Sequence, residues 1–330
     1  MTGAVEQANA RWRPYRDIVL SVASYWACSI GLVFLNKHLL SGAGAKLDVP
    51  LFITWCQCCT TVGICSALQW GARIVGSTGK FPRLGINVKT CKDVLPLSVV
   101  FVAMISSNNV CLKHVGVSFY YIGRSLTTVF NVMLSYMMLG EKSSLQTISA
   151  CLLIVCGFIL GVDQEDVHGS MSVIGTVSGV LASLAVASNA IYTKKVLPKV
   201  ADCIWTLTWY NNLNALVLFV PLMVINGDLA QVLETAPDSH FWRMLLLSGV
   251  FGFAMNYVTG WQIQATSPLT HNISATAKSA AQTVMAVFLY SEVKTFLWWN
   301  SNLIVLIGSA LYTFIRKSEM DSKTAKQKTK

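Results

Sequence analysis

Between Ser267 and Tyr290 the chain reads SPLTHNISATAKSAAQTVMAVFLY, with one cation, Lys278, near the middle and no carboxylate. A run of this length crosses a bilayer as a helix. An ammonium at that depth costs about 2.5–3.5 kcal/mol on insertion scales, so it faces a water-filled cavity or pairs with an anion. None of the other long apolar runs carries Asp or Glu in its interior. The missing anion can then be the ligand itself.

Working outward, 54% of the 330 residues are hydrophobic and only 12% charged. That is too little polar surface to coat a soluble globule of this size. Ten apolar windows follow: Asp17–Leu40, Pro50–Gly71, Asp93–Val115, Val117–Leu139, Ser143–Val162, Met171–Thr193, Cys203–Asn226, Phe241–Gln264, Ser267–Tyr290 and Phe296–Arg316. The alternation of a membrane barrel is absent, so backbone satisfaction in lipid demands helices. The expected fold is an all-α integral membrane protein of ten transmembrane helices.

A net charge of +10 would suit nucleic acid, but its placement gives another account. With the N-terminus in the cytosol, eighteen Lys and Arg fall on the cytosolic side and five opposite, leaving Arg124 and Lys278 within helices. This bias places both termini in the cytosol, and no nucleic-acid partner is expected. Most of the ten cysteines lie inside the windows and read as free thiols. Cys56, Cys58 and Cys59 point three ways on one helix with no His beside them, so neither a metal nor another cofactor is expected. The Arg-rich, polar N-terminus reads as no removable signal peptide.

The two halves echo each other. Phe34–Leu40 (FLNKHLL) resembles Ile191–Leu197 (IYTKKVL), Thr54-Trp-Cys-Gln57 resembles Thr208-Trp-Tyr-Asn211, and Glu141-Lys142 resembles Glu292-Val-Lys294, each about 150–157 residues apart. A repeat of five helices, an odd number, inserts its second copy upside down. The expected organisation is a tail over 1–16, repeats over 17–162 and 163–316, and a charged tail over 317–330. Inverted duplications place a substrate site at midplane between the halves and alternate its access, which reads as a transporter. A membrane-embedded transferase or hydrolase would need a general base and metal-binding carboxylates that the helix interiors do not supply, so no enzyme is expected.

Candidate ligand residues are the polar groups inside these helices. Asn211 and Asn212 offer donors and acceptors for a nucleobase edge, and Tyr210 can stack on or orient a base; inter-helix bonding is the alternative for the amides. Ser274 and Thr276 can bond sugar or phosphate oxygens, with Lys278 as a point charge for phosphate; snorkelling or pairing with Glu141 or Glu292 is the alternative. Arg124 can fork a phosphate or clamp carbonyls or Asp163. Asn108, Asn109, Asn256 and Tyr257 lie at comparable depth; Asn256 and Tyr257 are kept as candidates beside an inter-helix role. His271, near a helix end, reads as solvated.

At these motifs the chain resembles the nucleotide-sugar transporters of the drug/metabolite transporter superfamily, most nearly their GDP-fucose branch. The resemblance rests on VFLNKHLL (33–40), LPLSVVFVAM (95–104), GRSLTTVFNV (123–132), GVDQE (161–165), NAIYTKKVLP (189–198), GFAMNYVTG (252–260) and TSPLTHNISATAKSAAQTV (266–284). It implies a ten-helix fold in the Golgi membrane that exchanges cytosolic GDP-fucose for luminal GMP, with GDP-mannose or a small organic phosphate as alternative cargo. A family motif FYNN, which recognises guanine, corresponds to Trp209–Asn212, departing at Trp209; the companion GALNK corresponds to Ser274–Lys278 and matches at Ala275 and Lys278. Alanine at 277, where GDP-mannose carriers have Asn, leaves a less polar wall, reasonable for a sugar lacking the 6-hydroxyl. Dimerisation is left open, as is whether Lys326-Gln-Lys328-Thr-Lys330 serves as a retrieval signal to the endoplasmic reticulum.

Overall fold

The computed structural model describes residues 2–40, 49–74, 84–115, 117–140, 143–167, 172–235, 238–265, 268–289, 291 and 294–328. These form α1 (Thr2–Leu40), α2 (Pro50–Ile74), α3 (Val88–His114), α4 (Val117–Leu139), α5 (Leu145–Val167), α6 (Val173–Val196), α7 (Ile204–Asn226), α8 (Asp228–Thr235), α9 (Ser239–Ala265), α10 (Pro268–Leu289) and α11 (Phe296–Lys328), with a 3-10 turn at Leu197–Val200. No strand occurs among the described residues. Each apolar window falls on one of these helices to within a few residues. Seven helices, counted over the described residues, are long and apolar enough to cross a membrane: those of α1, α2, α3, α5, α6, α7 and α9. Those carrying Arg124 and Lys278, α4 and α10, fall outside that set, as does α11 with its charged end.

Local signals fix the ends. Asn87 caps α3 by accepting from Lys89 N, and Ser172 caps α6 by accepting from Gly175 N. Gly227 stops α7 at φ 77°, a left-handed conformation open to glycine. Val49, before α2, has no side chain that can cap. The carboxylate of Asp228, wholly buried at the start of α8, does so from a distance, accepting from Leu51 N (2.9 Å), Phe52 N (3.0 Å) and Asn226 Nδ2. The segment Gly227–His240, which reads from sequence as a loop, therefore holds a helix. The tail beyond Arg316 also continues as helix. Lys, Glu, Met, Ala and Gln extend an existing nucleus readily, and Glu319 accepts from Arg316 (3.0 Å) and from Thr147 of α5 (3.1 Å).

The packing is reciprocal. When α1–α5 are exchanged for α6, α7, α9, α10 and α11, the pair α1 with α9 becomes α6 with α3, and α2 with α9 becomes α7 with α3; all four pairs are formed. Under the same exchange α2 and α7, α4 and α10, and α5 and α11 pack on their own counterparts. The most unequal pair is this one: α4 packs extensively on α6, whereas α1 touches α10 only slightly. Glycine brings α5 against α11. A Cβ on Gly157 would sit 2.7 Å from Val305 Cγ2 and 3.0 Å from the backbone at Ser301 O and Val305 N.

Candidate functional site

A cavity of about 500 Å³ opens between α1, α2, α3, α4, α6, α7, α9 and α10. Most of these helices present positions spaced three or four residues apart, one face of a helix. From α7 these are Thr208, Asn211 and Asn212; from α10, Ala275, Lys278 and Ser279. Asp and Glu are absent from the described residues of the wall.

Lys278 is 8% exposed and lines this cavity. Its ammonium donates to Ser29 Oγ on α1 (2.5 Å) and lies 5.2 Å from the centre of the Tyr25 ring. It makes no ion pair with a described carboxylate. The guanidinium of Arg124 donates to Tyr120 Oη (3.0 Å), which donates to Asn108 Oδ1 (3.1 Å), and all three side chains line the wall. The two cations thus reach one space from α4 and α10.

On α7 the helical period separates what the sequence sets side by side. Asn211 and Asn212 face the cavity. Asn212 gives its Nδ2 to Thr208 O (2.8 Å), and the buried Oδ1 of Asn211 has no hydrogen-bond partner. Trp209 turns to α2, donating to Ser66 Oγ (3.1 Å), and the Tyr210 hydroxyl donates to Gly85 O ahead of α3. Tyr210 therefore lies behind the wall. Asn214 bonds α3, at Cys91 O (2.9 Å) and Ser98 Oγ (3.3 Å), one turn from the Pro96 interruption.

Of the remaining sequence candidates, Asn256 lines the cavity from α9 while its Nδ2 donates to Gly252 O (3.2 Å). Tyr257 is 51% exposed and stacks on Trp205 with ring centres 5.8 Å apart, away from the wall. Ser274 accepts from Trp26 Nε1 (2.9 Å), tying α10 to α1 beside the cavity. The side chains of Thr276 and His271, together with Glu141 and Glu292, lie outside the described residues.

Two wall amides escaped sequence reasoning, Asn36 on α1 and Gln57 on α2, as did the Lys278 partners Tyr25 and Ser29. Gln57 Nε2 donates to Asn36 Oδ1 (2.9 Å) and to Ser248 Oγ (3.0 Å). The signal was present in the echo between Thr54-Trp-Cys-Gln57 and Thr208-Trp-Tyr-Asn211. It puts Gln57 at the position of Asn211 and Thr54 at that of Thr208, and all four line the cavity. The correspondence continues on the next helices, where Met104 pairs with Met255 and Ile105 with Asn256 on the same wall.

The comparisons with known proteins agree with this architecture. A GDP-fucose transporter of Caenorhabditis elegans is 60% identical over 96% of this chain and 86% of its own length. One of Drosophila melanogaster, named as the Golgi GDP-fucose transporter, is 46% identical over 96% of this chain and 95% of its own. A solved crystal structure shares the fold at a TM-score of 0.55 and 13% identity, covering 90% of this chain and 98% of its own. The family model described as the Triose-phosphate Transporter family matches residues 17–313, a span that holds every wall residue named above, and the chain belongs to that family.

Proposed function

We propose that the chain is a nucleotide-sugar antiporter, carrying GDP-fucose into the Golgi lumen in exchange for GMP by alternating access to the cavity. One observation carries the reading: two cations and the neighbouring carboxamides of Asn211 and Asn212 share a wall on which no described residue is acidic. A nucleoside diphosphate supplies the negative charge for Lys278 and Arg124. Asn212, whose NH₂ is anchored on Thr208 O, offers its oxygen, and Asn211 has a buried oxygen without a donor. Two acceptors on one wall suit the two donors on guanine's pairing edge, N1–H and N2–H. Tyr210 through Gly85, and Ser274 through Trp26, hold α7 and α10 in place behind these groups. The relatives' names supply the fucose and the Golgi.

The architecture proposed with it is ten membrane-crossing helices in two inverted repeats, 17–162 and 163–316, between cytosolic tails. The reciprocal packing, the matching wall positions and the lysine and arginine bias support it.

The test is uptake of labelled GDP-fucose into proteoliposomes. Uptake is expected to require internal GMP and to be competed by GMP but not by UMP or CMP; its independence of GMP would overturn the reading. The family's description favours one second reading, a carrier of small organic phosphates. Competition by a triose phosphate stronger than that by GMP would select it.

A further inference from the structure

We infer that Asn36 and Gln57 form the sugar-binding end of the cavity, taking the hydroxyls of a 6-deoxyhexose carried on the nucleoside diphosphate. The inference rests on the function proposed above and deepens it.

The hydrogen bonds fix which way both amides face. Ser248 gives its proton to Leu245 O (2.8 Å), so towards Gln57 it has only lone pairs to offer. Gln57 must then present its NH₂ to Ser248, and it shares that NH₂ with Asn36 Oδ1. This leaves Gln57 Oε1, an acceptor, and Asn36 Nδ2, a donor, without a described protein partner, on two residues that line the cavity. A donor beside an acceptor matches neighbouring sugar hydroxyls, each of which both donates and accepts.

Position supports the same assignment. Asn36 lies seven residues beyond Ser29, the partner of Lys278, or about 10 Å along α1 at 1.5 Å per residue. That is the reach from a diphosphate to a sugar attached to it. Gln57 occupies in the first repeat the place Asn211 holds in the second, so an inverted scaffold sets one carboxamide site at each end of the ligand. Leu32, one turn from Asn36 on the same helix face, and Leu112 opposite on α3 give this end apolar contacts for a C6 methyl.

The experiment compares wild type, Asn36→Ala and Gln57→Ala in proteoliposomes exchanging labelled GMP, with unlabelled GMP, GDP-fucose and GDP-mannose as competitors. Each variant is expected to weaken GDP-fucose about tenfold relative to GMP, the effect of one or two neutral hydrogen bonds. The wild-type preference for GDP-fucose over GDP-mannose should shrink alongside. Equal losses for GDP-fucose and GMP, or no loss for either, would overturn the sugar assignment and leave the transport reading standing. A wild-type protein that exchanges none of the three overturns the transport reading, and this one with it. If Gln57→Ala does not insert, Asn36→Ala and Asn36→Ser carry the comparison, because Gln57 keeps its bond to Ser248 in both.

Discussion

Replacing Lys278 by methionine separates a ligand-binding cation from a structural one, because the two roles move stability in opposite directions. In the ligand-free protein the lysine gains one hydrogen bond to Ser29 and a ring contact with Tyr25. These are worth about 1.5–3 and 0.5–2 kcal/mol. Set against them is the cost of an embedded ammonium, about 2.5–3.5 kcal/mol. The terms nearly cancel, so Lys278→Met, similar in length and uncharged, should leave the empty protein close to wild type in stability. A bound phosphate tips the balance. A unit charge pair at 4 Å in an effective dielectric of 20 is worth about 4 kcal/mol, and a charge-assisted hydrogen bond about 1.5–3 kcal/mol. Treated as one interaction, the loss is about 2–4 kcal/mol, or roughly 30- to 1,000-fold in affinity. Thermal melts of the purified protein with and without GMP read both quantities. At GMP 100 times its wild-type Kd, the stabilisation is about 2.7 kcal/mol and falls to about 0.4 kcal/mol for a variant bound 100-fold more weakly. A variant whose empty form melts well below wild type, yet keeps the full GMP shift, would refute the reasoning.

Three further outcomes follow from contacts away from the cavity. Asp228→Ala should destabilise by about 2–4 kcal/mol, since it leaves the first-turn N–H groups of α2 and the Asn226 amide without their buried carboxylate; thermal melting checks it, and a change under 0.5 kcal/mol would be contrary. Gly157→Ala should cost about 1–3 kcal/mol by pushing α11 away, because two of the atoms its Cβ meets are backbone and cannot swing aside; a milder effect at Gly63, with open space around it, is the control. Burial acts to raise the Glu319 carboxyl, but hydrogen bonds from Ser144, Arg316 and Thr147 outweigh it and hold the group below the ordinary carboxylate range. A depressed folded pKa contributes stability that is complete above the unfolded value of about 4.3 and lost as pH falls through the lower folded one. The hydrogen-exchange protection factor at the end of α11, with the intrinsic pH dependence divided out, should therefore stay constant from pH 8 to about 5 and fall in stronger acid, whereas Glu319→Gln should lower it at neutral pH.

How much of this was legible in the sequence depended on what each residue costs to bury. Lys278 could be found because a cation inside an apolar run is expensive wherever it points, so its position alone demanded a partner. Asn36 and Gln57 raised no such alarm. An amide can satisfy itself against a neighbouring helix, and its cost depends on a partner that only the fold supplies. Tyr210 illustrates the reverse error of reading adjacency as proximity. One step along a helix turns a side chain through about 100°, so Tyr210 meets Gly85 while Asn211 meets the cavity. Asp228 was hidden for a similar reason: the N–H groups it caps belong to a helix that begins at Pro50, and no local pattern links the two.

The repeat register joins these cases into one argument about how the site is built. Equivalent positions of the two halves furnish equivalent parts of the wall, but the chemistry placed on them differs. Carrying the Glu141 and Glu292 echo back along α4 and α10 sets Arg124 against Ala275 and Lys278 against Thr127, so on the proposed repeat the two cations are not equivalent positions. The bond from Ser183 to Gly123 O (2.9 Å), between α6 and α4, is the positional counterpart of that from Trp26 to Ser274 between α1 and α10. On the inverted-repeat architecture proposed above, the scaffold would have two arrangements of similar energy, related by exchanging the packing of α4 on α6 with that of α1 on α10, two pairs that are unequal in this structure. The two cations proposed to meet the ligand stand on these helices, Arg124 on α4 and Lys278 on α10. On the proposed function, neutralising those two charges together would act on both contacts at once and so couple occupancy of the cavity to the change of access without a separate relay.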